Sequence, residues 1–474
     1  MDPACETLMR TSWVLILVGL ALTAGCAAPA DRPGIPAARP APADRLGIPA
    51  AKPGPADYAR LAKAIDGYFR ESYLPLWYPR CVDKVRGGFR QAFADDWTPQ
   101  ADANRFLVFQ SRLTWVAATA AMYDPALKAE YLPYALHGLD YLDKVMTDRF
   151  AGGLFWQVDL AGRPMAPFGD EKHAYGLSFA IYASAAVYEA TREARALALA
   201  SATFDWLDRN AHDRQHGGYF EALARNGRPL LAPPKDATTP RTKDGIGTPY
   251  GYKSMNTHIH LLEAFTALYR VAPEDRLRQR LEEMAAIVRD RIAVEPGCLN
   301  YYFTPDWRAV PMHDSFGHDV EAAFLVVEAA QALGRPDDEP TWRAARRIVD
   351  HALEWGWDDK NGGFYNAGQA FAEAHDKAKV WWVQAEGLNA LLLMHERYGR
   401  ETDRYWRAFA KQLRFLWNHQ IDHQRGGWRN ETTEDGTPKG DLRKASPWKE
   451  AYHDSRALMN VARRLNELAE AKRP

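Results

Sequence analysis

The sequence has 474 residues, 47% hydrophobic and 26% charged, enough apolar surface for a large core and too much for disorder to be its main state. Sixty lysines and arginines against 61 aspartates and glutamates leave a net charge near −1, without the basic surplus that a nucleic-acid partner calls for. The 16 tryptophans, beside 21 tyrosines and 19 phenylalanines, exceed what core filling usually takes and suit a pocket that stacks on flat or sugar-like ligands.

The N-terminus reads as an address. Residues 13–24, WVLILVGLALTA, form an apolar run too short to span a bilayer as a helix and of the right length for the hydrophobic part of a signal peptide. Ala24-Gly25-Cys26 follows it as a bacterial lipoprotein cleavage box would, so residues 1–26 are expected to be a signal peptide and Cys26 the lipidated residue. That implies a periplasmic protein touching the membrane only through its lipid, with Ala27 favouring the outer membrane. A secreted chain, or a cytoplasmic one if the start is misplaced, is the alternative. Residues 27–56 repeat DRPGIPAARPAPA as DRLGIPAAKPGPA, an Ala/Pro composition that reads as an extended tether. The folded domain is expected over 57–474. Cys81 and Cys298 within it could make at most one disulfide.

Beyond the tether a Gly-Gly pair followed by a hydrophobic residue recurs at Gly87-Gly88-Phe89, Gly152-Gly153-Leu154, Gly217-Gly218-Tyr219, Gly362-Gly363-Phe364 and Gly426-Gly427-Trp428, with a degenerate copy at Gly297-Cys298. First glycines lie 65, 65, 80, 65 and 64 residues apart, which makes six units. Each glycine mark predicts a short hairpin or loop. Between marks the three- and four-residue spacing of apolar positions predicts helix pairs: one from about 106 with 126–148, then 172–193 with 196–210, 253–271 with 276–293, 318–334 with 340–356, and 378–397 with 403–419. The last unit has one helix, 447–469, and an unpaired helix at 57–75 is there to complete it. Six pairs with the sixth closed by the chain start predict an all-α fold, an (α/α)6 barrel with short β-hairpins between helix pairs. The longer third interval holds 222–252, a candidate lid over the barrel mouth.

The helices directly after each mark carry the denser apolar and small residues and are expected to form the inner ring. Their polar residues gather at the N-terminal ends. Asn256 and His260 share one face of the third inner helix, with Glu263 one turn below. The fourth carries His318 and Glu321, the fifth Trp381, Trp382 and Glu386. The sixth opens Ser446-Pro447-Trp448, read as N-cap and first turn, and continues to Tyr452-His453. Gln110 and Arg112 come from the first and His173 and Tyr175 from the second. In a closed ring of parallel inner helices all of these meet at one mouth. Imidazoles at helix N-termini are disfavoured as cations and stay able to take a proton, an arginine can stabilise an enediolate, and indoles offer faces for sugar rings. The residues therefore predict proton transfer on a carbohydrate.

The blocks KSMNTHIHLLEA, FGHDVEAAF, WWVQAE and PWKEAYHDSR, in this order, resemble the N-acylglucosamine 2-epimerase superfamily, nearest the cellobiose 2-epimerases, from about Asp57 to the end of the chain. The resemblance implies an (α/α)6 barrel that catalyses at C2 of a sugar without metal or nucleotide, so no cofactor is expected. It implies His318 and His453 as the acid/base pair, with His260 assisting ring opening and proton relay. Arg112 would hold the enediolate oxygens, and Tyr175, Asn256, Glu321, Trp382 and Trp448 would bind the sugar. The expected reaction interconverts gluco and manno configurations at the reducing end of a β-1,4-linked disaccharide such as cellobiose. The alternatives are an aldose–ketose isomerase of the mannose type, a glycoside hydrolase, or a sugar-binding lipoprotein, with an oligosaccharide or monosaccharide as partner in every case. Phe324, Leu177 and the Asp454-Ser455 pair depart from the family pattern without removing an acid or base. The pairs His260/Glu263 and His318/Glu321 could each offer two metal ligands, but no third block completes a set. His258 reads as a packing or hydrogen-bonding residue, and His137, His212, His216, His351, His395, His419 and His423 as solvated.

Overall fold

The computed structural model describes residues 46–235 and 241–471. The apolar run, Cys26 and most of the proline-rich repeat lie outside the described residues. Twelve helices longer than ten residues organise the described chain. They are α1 (Pro55–Gly67), α2 (Leu107–Tyr123), α3 (Lys128–Tyr141), α4 (Ala174–Thr191), α5 (Ala194–Asn210), α6 (Met255–Val271), α7 (Asp275–Ile287), α8 (Phe316–Ala332), α9 (Glu339–Trp355), α10 (Trp381–Tyr398), α11 (Arg404–Phe415) and α12 (Tyr452–Glu470). None is long and apolar enough to cross a membrane.

Sequence decides which helices are inside. The helix α4, AYGLSFAIYASAAVYEAT, is buried on nearly every side, and its alanines let neighbouring inner helices approach closely. The helix α11, RYWRAFAKQLRF, puts Tyr405, Trp406, Phe409 and Leu413 inward and its charges outward, as an outer helix must. The even helices α2, α4, α6, α8, α10 and α12 each pack on the next, and α12 packs on α2, so the ring closes. Each odd helix backs an even one, with α1 behind α12 as the unpaired N-terminal helix predicted. The fold is the expected (α/α)6 barrel.

The glycine marks are the joints. In five units an aspartate four residues before the first glycine caps the turn, as Asp83 does by accepting the N–H of Val85 at 3.1 Å and of Arg86 at 3.0 Å. The same carboxylates take a buried cation: Asp83 with Arg105 at 2.7 Å, Asp148 with Lys172 at 3.0 Å, Asp213 with Lys253 at 2.7 Å, Asp358 with Lys379 at 2.6 Å and Asp422 with Lys444 at 2.5 Å. Breaking such a pair strands a buried charge at about 3–5 kcal/mol. The second glycine has to be a glycine because its backbone lies on the inner helix. Gly88 sits at φ +64, and a Cβ there would stand 2.5 Å from Gln110 Oε1. Gln110 in turn accepts the Phe89 N–H at 2.6 Å and donates to the Phe89 carbonyl at 2.8 Å.

Short antiparallel pairs stitch each unit to the next, Asn104–Phe106 to Gln157–Asp159, Glu171–His173 to Ala222–Ala224, and Lys379–Val380 to Glu431–Thr432. A single bridge between Phe93 and Ala445 joins the last unit to the first. These strands hold the N-terminal ends of the inner helices at one level.

Three expectations need correction. Leu46 and Ile48, assigned to the tether, are buried against the barrel, and the Pro49 carbonyl accepts the Trp406 indole N–H at 3.1 Å, because two apolar residues among the prolines suffice to dock on α11. Ser446 and Pro447 do not open a helix. Ser446 bridges to Lys449, and α12 begins at Tyr452, because the strand contact of Ala445 with Phe93 keeps the backbone extended. His351 and His395 are buried rather than solvated; His395 Nε2 lies 2.6 Å from the Tyr58 hydroxyl on the inner side of α1. Cys81 and Cys298, whose pairing the sequence left open, are buried free thiols.

Candidate functional site

At the N-terminal mouth of the inner ring lies a cavity of about 240 Å³. Its wall contains all nine sequence-predicted catalytic and sugar-binding residues: Arg112 from α2, Tyr175 from α4, Asn256 and His260 from α6, His318 and Glu321 from α8, Trp382 from α10, Trp448 from the turn before α12, and His453 from α12. Residues from six units, up to 341 positions apart in sequence, therefore share one space. Trp381 and Ile246 complete the lining.

The three imidazoles are held alike. His453 Nδ1 donates to Glu386 Oε1 at 2.5 Å, His260 Nδ1 donates to Glu263 Oε2 at 3.0 Å, and His318 Nδ1 is bonded to Ser315 Oγ at 2.7 Å. Each partner fixes the ring and occupies Nδ1, so Nε2 is the nitrogen left to a ligand. Burial, followed by the charges of Arg112 and Arg456, holds His453 well below the usual imidazole range, and burial does the same to His318. Trp382 lies against both rings, its centroid 4.8 Å from His318 and 5.7 Å from His453. It reaches them by packing on Gly317, where a Cβ would come within 2.5 Å of the indole.

Beneath the histidines Arg456 forms the floor. Its Nη2 donates to Glu386 Oε1 at 2.6 Å and to Glu321, and its Nη1 donates to Glu263 and to the Tyr452 hydroxyl at 2.5 Å. One guanidinium thus joins the carboxylates behind His453 and His260. Burial alone would raise Glu263, but Arg456 and His260 hold it down at about 2. Glu386 goes the other way: burial dominates and, with Glu321 and Glu263 nearby, raises it well above the ordinary value despite Arg456. Sequence reasoning did not assign Arg456 or Glu450 to the site, and it placed Tyr452 and Glu386 at the mouth without giving them a role. Glu386 lies four residues after Trp382, on the same helix face, which was a usable signal for it.

Arg112 is placed from both sides. Nη1 donates to Glu450 Oε1 at 2.6 Å, Nη2 donates to the Tyr175 hydroxyl at 3.1 Å, and the guanidinium lies over the rings of Phe179 and Tyr452. Trp448 is 44% exposed at the mouth, its ring 6.2 Å from that of Tyr175 and 4.8 Å from that of Phe106. The lid candidate reaches the mouth, since Ile246 enters the wall and Tyr250 and Arg241 donate to Glu171 at the base of α4. His173 sits in that clamp between Glu171 and Glu221, and the surrounding carboxylates outweigh burial and raise its proton affinity. His258, on the far face of α6, accepts the Tyr219 N–H on Nε2 at 3.0 Å and donates from Nδ1 to the Ser254 carbonyl at 2.7 Å, the hydrogen-bonding role expected of it.

Glu321, Glu386 and His453 are near enough to hold a metal ion. Arg456 occupies the cationic place between the two carboxylates, so the site as built does not call for one. The same arginine holds the three buried glutamates in the floor, away from the opposed pair that glycoside hydrolysis needs.

Residues 87–457 match the family model of N-acylglucosamine 2-epimerase (GlcNAc 2-epimerase). The chain is 29% identical over 405 residues to a cellobiose 2-epimerase of Ruminococcus albus, covering 83% of this chain and 96% of the other. It is 25% identical over 411 residues to a D-mannose isomerase of Marinomonas mediterranea, covering 83% and 95%. The solved cellobiose 2-epimerase of Spirochaeta thermophila DSM 6192 superposes with a TM-score of 0.76 at 31% identity, over 88% of this chain and 99% of that one.

Proposed function

The chain belongs to the N-acylglucosamine 2-epimerase family and is a carbohydrate epimerase, and on that premise we propose that it is a 2-epimerase of reducing-end aldoses, with a β-1,4-linked disaccharide of the cellobiose type as substrate. The observation that carries the proposal is the common mounting of three imidazoles, each tied at Nδ1 and open at Nε2, around a cavity about the size of one hexose. The reducing-end sugar occupies that cavity, and the second sugar lies outside against the exposed face of Trp448.

In this reading His260 helps open the ring by moving a proton between O1 and O5. One of His318 and His453 takes the C2 proton through Nε2, and electrons from the broken C–H bond form the C1–C2 double bond as the carbonyl oxygen becomes anionic. Arg112, held by Glu450 and Tyr175, stabilises that enediolate. The opposite imidazole enters this step carrying a solvent-derived proton on Nε2 and gives it to the other face of C2, the carbonyl re-forms with inverted configuration, and exchange with solvent resets both rings. Asn256, Glu321 and Trp382 orient the hydroxyls and the ring between the two bases.

The test is NMR of cellobiose incubated with the enzyme in deuterium oxide. Deuterium at C2 of both gluco and manno products supports the proposal, and a ketose as main product replaces it by an aldose–ketose isomerase, the activity of the D-mannose isomerase relative. Release of free glucose from an unexchanged disaccharide would make it a hydrolase. From Ala24-Gly25-Cys26 we further propose a lipid-anchored periplasmic location. Palmitate incorporation that disappears in Cys26→Ser tests it, and equal incorporation in both rejects it.

A further inference from the structure

The fourth unit inverts the ion pair that the other five share. Ala293 stands where the others have the turn aspartate, and Asp314, two residues before α8, stands where Arg105, Lys172, Lys253 and Lys379 precede their helices. Asp319, the fourth residue of α8, replaces the neutral Gln110, His258 and Gln384 at the same helical position. Two carboxylates are thereby buried side by side. His351 from α9 meets them, with Nδ1 3.5 Å from Asp314 Oδ2 and 3.7 Å from Asp319 Oδ2, and no side chain of the three is more than 3% exposed.

The two carboxylates lie within reach of each other and of the Ser315 and Leu299 N–H groups, but no cationic side chain of the described residues donates to them, and His351 Nδ1 has no hydrogen-bond partner there. Among the described residues no lysine or arginine pairs with either aspartate. Of the two other buried clusters of this composition, one holds a cation of its own, Arg456 bridging Glu321 and Glu386 beside His453, and in the other His173 lies among Glu171, Glu221 and Asp244, which raise its proton affinity. Here the chain supplies two acids and a lone pair. His351 Nε2 donates to the Ala370 carbonyl at 2.7 Å, which leaves the Nδ1 lone pair facing the carboxylates.

The separations fit a shared cation better than a hydrogen bond. Both exceed N–H···O range, yet they are close to the roughly 3.3 Å edge between two ligands each about 2.0–2.1 Å from a tetrahedral ion. A histidine whose second nitrogen donates to a backbone carbonyl is mounted as ligating histidines are. The mixed oxygen and imidazole set selects a first-row divalent ion over calcium or magnesium. We propose that Asp314, Asp319 and His351 form a structural zinc site that clamps the strand Asp314–Ser315, α8 and α9 together behind His318. The ion would take the place that Lys172, Lys253 or Lys379 takes in its own unit.

The experiment measures metal in the untagged full-length chain purified from zinc-supplemented cells, by mass spectrometry of the elements after gel filtration. About one zinc per chain, falling below a tenth in Asp314→Asn and in His351→Gln, supports the site. So does a Tm lowered by a strong chelator and restored by zinc chloride. Less than a tenth of an equivalent in the parent chain, with a Tm indifferent to chelator and zinc, overturns it and leaves the carboxylates held by protons. The double variant Ala293→Asp with Asp314→Lys rebuilds the ion pair of the other units. It is expected to fold without zinc and to ignore chelator, and zinc retained at full occupancy in it would refute the proposal.

Discussion

His258 allows a stability prediction worked from a single buried group. Its Nε2 accepts the Tyr219 N–H and its Nδ1 donates to Ser254, so the neutral ring satisfies both neighbours and a second proton would break the first bond. Burial, aided by Lys253, pulls its proton affinity down to about 4. An unfolded histidine titrates near 6.5, so as pH falls below that value the unfolded chain takes the proton first. The stabilisation is complete above pH 6.5 and is lost progressively towards pH 4. With these two values, linkage gives a loss of about 2 kcal/mol between pH 7.5 and 5 from this residue alone. In the first and fifth units the same helical position is Gln110 and Gln384, each accepting the N–H and donating to the carbonyl of the residue after the glycine pair. His258→Gln should therefore cost less than about 1 kcal/mol at pH 7.5 and should be more stable than the parent at pH 5. Urea unfolding of both proteins at each pH isolates the term, because every other titrating group is common to the pair. Parallel loss of stability in parent and variant would refute the argument.

Three further outcomes follow from the site. Gly317→Ala places a methyl 2.5 Å from the Trp382 indole and 2.7 Å from Val383 Cγ2, so the indole between the two histidines must move; epimerisation should fall at least tenfold while Tm drops by what about 1–3 kcal/mol of overpacking predicts. Because burial already drives Glu386 towards its neutral form, Glu386→Gln should keep kcat within about threefold, since its oxygen can still accept from His453 and Arg456. Glu386→Leu, which leaves both donors stranded, should lose at least about a hundredfold, some 3 kcal/mol, and equal losses in the two variants would show that the acceptor is not what matters. Trp448→Ala should raise KM for a disaccharide about three- to tenfold, the worth of one stacked ring, and leave KM for a monosaccharide unchanged; equal effects on both would place the second sugar elsewhere.

The closed barrel was legible because it is written six times. A turn that needs positive φ and a helix pair behind it recur at nearly constant spacing, with an aspartate to cap the turn in five of the six units, and the spare helix at the chain start matches the spare helix at its end. The gathering of nine site residues followed from that closure alone. What one unit does to a distant unit was not legible. Glu450 pairs with Arg112 across 338 residues, and Arg456 gathers glutamates from three other helices, with no local pattern to announce either. Trp448 was misplaced onto a helix for the same reason, because the bridge from Ala445 to Phe93 spans the ring. His351 was misread although it follows Ile348 by three residues on α9, a spacing that puts it on the buried face.

Counting from the first residue of each inner helix separates scaffold from chemistry. In four of the six the residue two before the helix carries the cation for the glycine turn, and in three the fourth residue bonds the backbone after the glycines, so both positions serve the joint. The second and sixth residues lie on another face, four apart, and turn to the cavity: Tyr175, Asn256, Trp382 and His453 are second residues, and Arg112, His260 and Glu321 are sixth residues, while the sixth residue Glu386 holds His453 from behind. The joint positions repeat because every unit must solve the same backbone problem, whereas the cavity positions differ because the ligand presents a different atom to each helix. A change at a joint position should therefore act on stability with little effect on the sugar, and a change at a cavity position the reverse. By this rule the aspartates at 314 and 319 are joint residues that have abandoned the common solution, so whatever neutralises them belongs to the scaffold of α8 and reaches catalysis only through the placing of His318.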